Sequence, residues 1–189
     1  IKNKKIGVIS LGCDKNRVDT EKMLYILSEN HTLINEVEDA EIIIVNTCAF
    51  IESARKEGIA EIVGASEYKQ SGKLQKLIVT GCMPQKYADD LLNGIPEIDA
   101  LLGVSDYDKI NEVIEKIYND ERVNAVGNPK GECGIGRVLT TSGYAYLKIA
   151  DGCSNFCTYC TIPSIRGKFR SVKEEDLIAS KLYQGLGFQ

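Results

Sequence analysis

Short apolar runs, each followed by a longer stretch of helical periodicity and never by a two-residue turn, leave the front of this chain few folds to choose from. Glu41–Asn46 (EIIIVN) is the clearest strand, and Lys5–Ser10 (KIGVIS) and Lys76–Thr80 (KLIVT) are two more; Thr32–Val37 is a weaker one and Ala100–Val104 closes the series. The intervening patterns predict helices over about Arg17–Glu29, Ser53–Gln70, Pro84–Leu92 and Tyr107–Tyr118, with Pro84 suited to a first helical turn. Strands separated by helices cannot pair as hairpins, so they pair in parallel. The expected class is α/β: an open, mostly parallel sheet of four or five strands with helices on both faces, over residues 1–120.

Residues 121–142 lack periodicity and contain Gly127, Gly131, Gly134, Gly136 and Pro129, which reads as a linker. Beyond it, Tyr144–Ala150 alternates like a strand, a cysteine-rich loop follows, and Lys173–Tyr183 has helical character. Residues 143–189 therefore open a second domain without completing it.

Seven cysteines and one histidine need a chemical account. The odd count and the apolar content, sufficient for an ordinary core, argue against a disulfide scaffold and towards metal or redox use. No apolar run is long enough to span a bilayer, and the lysines near the start lead into a strand rather than a signal peptide; a cytoplasmic protein with no membrane contact is expected. The net charge is −4, yet Arg166, Lys168, Arg170 and Lys173 crowd into eight residues, either as a solvated loop or as contacts for an anionic partner. Asp19 and Glu21 near the start of the first helix are explained by the helix dipole, and His31 reads as a surface residue.

Cys153, Cys157 and Cys160 are spaced four and three apart in a loop leaving a strand. Zinc and iron–sulfur clusters both accept such thiolates, but structural zinc wants a fourth ligand, and no cysteine or histidine follows Cys160. Three thiolates with an open position fit a four-iron cluster. Cys13, Cys48 and Cys82 are distant in sequence, but each follows a predicted strand, and parallel strands bring their C-termini to one edge, where ligand sites form. Gly12 and Gly81, like Gly152, precede the sulfur and are expected to let backbone approach a bulky group; helices following these loops favour thiolate. The bland alternative is that these are small buried apolar residues. Cys133 in the linker is read as incidental.

The CxxxCxxC spacing, with Tyr159 before its last cysteine, resembles the radical S-adenosylmethionine (SAM) signature. The resemblance implies a four-iron–four-sulfur cluster on Cys153, Cys157 and Cys160, SAM on its open iron, and Tyr159 close to the adenine. Ser10–Glu21 (SLGCDKNRVDTE), Asn46-Thr47-Cys48 and Gly81–Gln85 (GCMPQ) are in turn similar to the N-terminal domain of the methylthiotransferases, as is Ile162–Ser171 to the run after their radical motif. That resemblance, over about residues 5–178, implies a second four-iron cluster on Cys13, Cys48 and Cys82, involved in delivering sulfur, and a second SAM as methyl donor. It also implies an electron donor such as a flavodoxin or ferredoxin, and a chain continuing into a radical SAM β/α barrel, whose first β-loop-α unit is residues 143–189. This piece is then an incomplete fragment, inactive alone. The Gly12–Asn16 and Ile162–Ser164 runs resemble most the branch acting on an aspartate of small-subunit ribosomal protein twelve. The alternatives are the branch that modifies adenosine in tRNA, and a non-catalytic iron–sulfur module using the same six thiols.

Overall fold

The computed structural model describes residues 1–130 and 136–179, so Cys133 and the end of the predicted helix past Ala179 lie outside the described residues. The chain runs β1 (Lys5–Ser10), α1 (Asp14–Ser28), β2 (Thr32–Ile34), β3 (Ile42–Thr47), α2 (Glu52–Glu67), β4 (Lys76–Gly81), α3 (Cys82–Gly94), β5 (Ala100–Leu102), α4 (Ile110–Tyr118) and β6 (Val123–Ala125). The six strands are all parallel, in the order β2-β1-β3-β4-β5-β6. The expected α/β class holds. The sixth strand was not foreseen: it comes from the stretch read as linker, where three residues beside Gly127 and Pro129 carry too little pattern. Pairing Ala100 with Val123 through Leu102 with Ala125 caps the backbone edge that β5 would otherwise leave open.

Each strand sends alternate side chains to opposite faces. Ile43, Val45, Leu77, Val79 and Leu101 pack with Ile62 and Ala65 of α2 and Met83 and Leu91 of α3. Ile42, Ile44, Ile78, Ala100 and Leu102 pack on the other side with Met23 and Leu27 of α1 and Ile110, Val113, Ile114 and Ile117 of α4. β3 is buried throughout, because it lies inside the sheet with helices over both faces.

The sheet order reverses direction between β1 and β3: the chain moves from β1 out to β2, then returns to the far side of β1. Such a switch point leaves a crevice beyond the strand C-termini, because the connections on either side leave in opposite directions.

After the sheet come β7 (Ala150–Asp151), α5 (Ile162–Arg166), β8 (Arg170–Ser171) and α6 (Glu174–Ala179), with β7 and β8 antiparallel. The strand expected over Tyr144–Ala150 is reduced to its last residue. Alternation is present, but a strand also needs a neighbour for its backbone groups, and β8 reaches only Ala150 and Asp151. No helix among the described residues is long and apolar enough to cross a membrane.

Candidate functional site

Cys13 is the N-cap of α1, Cys48 follows β3, and Cys82 is the first residue of α3. Together they line one cavity of about 1080 Å³, with Gly12, Lys15, Phe50, Ile51, Glu57, Ile162 and Arg166 among its other walls. Topology brings this trio together as expected. Cys48 and Cys82 are buried and Cys13 is exposed at the mouth. Among the described residues no three His, Cys, Asp or Glu side chains are gathered to grip a single metal ion. The trio surrounds a space without converging on a point.

The glycines before these cysteines are required by the packing of the loops themselves. Gly12 and Gly81 have φ of +90° and +97°, in the left-handed region. A Cβ on Gly12 would come within 2.6 Å of the Cys48 Cβ, and one on Gly81 would strike Asn46 Oδ1 and the Thr47 carbonyl. They let the three loops pack on one another, which sets the relative places of the sulfurs.

Asn16, fully buried in the first turn of α1, ties the loops together. Its Nδ2 donates to the carbonyls of Leu11 (3.1 Å) and Thr47 (3.0 Å), one residue or two from Cys48 and Cys13. Its Oδ1 accepts from Arg166 (2.7 Å) and lies 3.7 Å from Cys82 Sγ. Asn46 Nδ2 in turn donates to the Asn16 carbonyl at 2.9 Å and to Thr20 Oγ1 at 2.9 Å. Burial pushes the Cys82 thiol up to about 11, against the opposing pull of the Arg166 guanidinium and with a further push from Cys48.

Arg166 is the residue the sequence placed least well. Read as part of a basic loop, it is 2% exposed at the end of α5. Its Nη1 donates to Asp19 and Asp151, each at 2.9 Å, and its Nη2 donates to Asn16 and lies 3.8 Å from Cys82 Sγ. Lys148 joins the same network, 2.7 Å from Asp19 and 2.9 Å from Asp151. Lys15 reaches Asp151 from the rim at 3.1 Å. Burial pushes the Asp151 carboxyl up, but Lys148, Arg166 and Lys15 outweigh it and hold the group well below the usual carboxylate range. Asp19 is thus an internal ion-pair partner, not a surface complement to the helix dipole. Glu21 is also internal: Arg137 pairs with its carboxylate, and Thr140 donates to it from its backbone N–H (3.0 Å) and hydroxyl (2.8 Å). Of the basic cluster, Lys168 and Lys173 do face solvent.

His31, expected on the surface, is buried at the α1–β2 junction, and that burial lowers its pKa. One signal was available: it lies just after a helix whose apolar face must be covered.

Cys153, Cys157 and Cys160 sit on the loop between β7 and α5. The Cys160 N–H donates to the Cys157 carbonyl (3.0 Å), which makes one turn of that pair, and the Cys153 N–H donates to the Gly167 carbonyl (3.0 Å). Cys157 is exposed and the other two are partly so. Tyr159 is 87% exposed and is not among the residues lining the first cavity. The two trios are connected through α5, which starts two residues after Cys160 and delivers Ile162 and Arg166 to the first cavity.

A parallel α/β sheet with three cysteine loops at its switch point defines a thiol-lined centre built by topology. The chain belongs to the family described as uncharacterized protein family UPF0004, whose model matches residues 5–103, the first five strands of the sheet with Cys13, Cys48 and Cys82. It is similar to ribosomal protein uS12 methylthiotransferase RimO of Clostridium botulinum (strain Eklund 17B / Type B), 49% identical over 188 residues, covering 93% of this chain and 40% of that protein. The RimO proteins of Clostridium perfringens (strain SM101 / Type A) and Lachnoclostridium phytofermentans are each 51% identical over 178 residues, covering 92% of this chain and 40% of theirs. The chain therefore spans about two fifths of the length of the curated relatives it matches.

Proposed function

We propose that this chain is the sheet domain and radical motif of a methylthiotransferase acting on an aspartate of the small-subunit ribosomal protein uS12. The observation that carries the reading is the shared cavity of Cys13, Cys48 and Cys82, with its wall completed by the helix that follows Cys160. A four-iron cluster binds each thiolate through a separate iron, so three cysteines lining one cavity suit it without converging on a single ion. Cys13, Cys48 and Cys82 would hold one cluster, and Cys153, Cys157 and Cys160 the other. When bound, these clusters and SAM supply the radical and sulfur chemistry, with electrons from a donor such as a flavodoxin or ferredoxin.

The chain's own residues do the positioning. Asn16 and the two glycines fix the first three loops, and Asp19, Lys148, Asp151 and Arg166 fasten the second cysteine loop's flanks to α1. Tyr159, exposed beside Cys160, is available to stack on the adenine of SAM. The identity to the RimO proteins supports uS12 over tRNA as the substrate. The test is anaerobic incubation of the full-length gene product with SAM, a reductant and sulfide, against uS12 and against tRNA. The expected result is a methylthio increment on a uS12 aspartate, lost in Cys48→Ala and in Cys157→Ala. Modification of adenosine in tRNA alone would refute the substrate assignment.

A further inference from the structure

Arg166 belongs by sequence to the radical motif's flank, yet its guanidinium is spent inside the other centre. Two of its contacts, Asp19 and Asp151, are matched in charge by Arg166 and Lys148, so the buried quartet balances on its own. The Nη2 side is left over for Asn16, at 2.7 Å, and for Cys82 Sγ, at 3.8 Å. The Cys82 thiol now faces both a donor, Arg166, and an acceptor, Asn16 Oδ1. As a ligating thiolate it has no proton to give, and the guanidinium N–H is then the contact that suits it. A charged donor makes a hydrogen bond roughly twice as strong as a neutral one, and hydrogen bonds to ligand sulfurs are among the levers that set cluster potential.

We propose that Arg166 is a positioning residue of the first cysteine centre, which acts through Cys82: held by Asp19, Asp151 and Asn16, it directs a cationic N–H at that sulfur and raises the reduction potential of the group bound there. The inference rests on the proposed cluster at Cys13, Cys48 and Cys82. It also makes α5 a direct link between the two centres, since the same five-residue helix leaves Cys160 and ends on Cys82's partner.

The test uses the full-length gene product with Cys153, Cys157 and Cys160 replaced by alanine, loaded anaerobically so that only the first cluster forms, with its midpoint potential read by EPR-monitored titration. Arg166→Gln is expected to shift the potential to more negative values, and Arg166→Lys, which keeps the charge without the two-sided fork, to shift it less in the same direction. A fully loaded Arg166→Gln cluster with an unmoved potential overturns the inference. If Arg166→Gln fails to load, Arg166→Lys decides: a loaded Arg166→Lys cluster with a potential equal to the parent's overturns the inference. Failure of the parent to form any cluster at this site removes the proposed function of the trio, and the inference with it, an outcome distinct from a cluster whose potential ignores Arg166.

Discussion

In the sheet, apolar side chains point inwards: Ile43, Ile44, Leu77, Ile78 and Leu101 are fully covered by the helices on the two faces. Between residues 136 and 179 the pattern largely inverts, Ile165 being the buried apolar exception among the described residues. Lys148, Asp151 and Arg166 are buried against α1, while Tyr144, Leu147, Ile149, Phe156 and Phe169 face solvent. The first region is held by removal of apolar area from water. The second is fixed to the first by ion pairs and by Ile165, which enters the apolar core on the α3 side; the ion pairs contribute little beyond an apolar alternative but are costly to leave half-made. The contrast has a chemical consequence. Hydrophobic packing tolerates sliding and repacking, whereas a forked guanidinium between two carboxylates and an amide fixes distance and direction, which a pair of cysteine centres needs.

The largest expected effect comes from breaking the ionic side. Asp19→Ala leaves Lys148 and Arg166 buried beside a single carboxylate and should cost about 3–5 kcal/mol. Limited proteolysis of residues 136–160, run alongside denaturant unfolding, should show that segment released while the sheet persists. Next, Leu101→Ala opens a cavity in the apolar side and should cost about 2–5 kcal/mol in global unfolding, whereas Ile149→Ala, a comparable deletion on the exposed face, should change it by no more than about 0.5 kcal/mol. Equal effects of the two would erase the comparison.

Acid sharpens it further. The Asp151 carboxyl is held below its unfolded value, so its contribution to stability is complete above about pH 4 and drains away as pH falls below that. Protease sensitivity of residues 136–160 should therefore rise below about pH 4, and Asp151→Asn should flatten that dependence. The smallest effect belongs to His31. Its pKa is lowered by burial, so the folded state favours the neutral ring, and stability should slip as pH falls past about 6.5. A pH titration of His31→Gln should lack that component.

What could be read from the sequence follows the same division. The strands around Ile42–Thr47 and Lys76–Gly81 are continuous apolar runs, and parallel pairing then forces Cys13, Cys48 and Cys82 to one edge. A local pattern sufficed because burial there is periodic along the chain. The ionic fastening is not periodic. Asp19 meets Lys148 and Arg166 across more than a hundred residues, and a carboxylate near the start of a predicted helix has an adequate local explanation that conceals the distant one. Asn16 was visible only as part of a resemblance, since an asparagine's hydrogen-bond partners leave no trace in its neighbours. The strand over Tyr144–Ala150 was over-read because alternation records which residues face inwards but not whether a paired strand exists; here it is the charged residues that turn in.

The most direct test of two independent cysteine centres is iron and sulfide content after anaerobic loading, taken on the parent and on two single variants. The parent should take up about eight irons, as two four-iron clusters, and Cys48→Ala and Cys157→Ala should each keep about half, with distinguishable EPR signals. Uptake of zinc in place of iron, or the loss of all iron in either variant, would contradict the account.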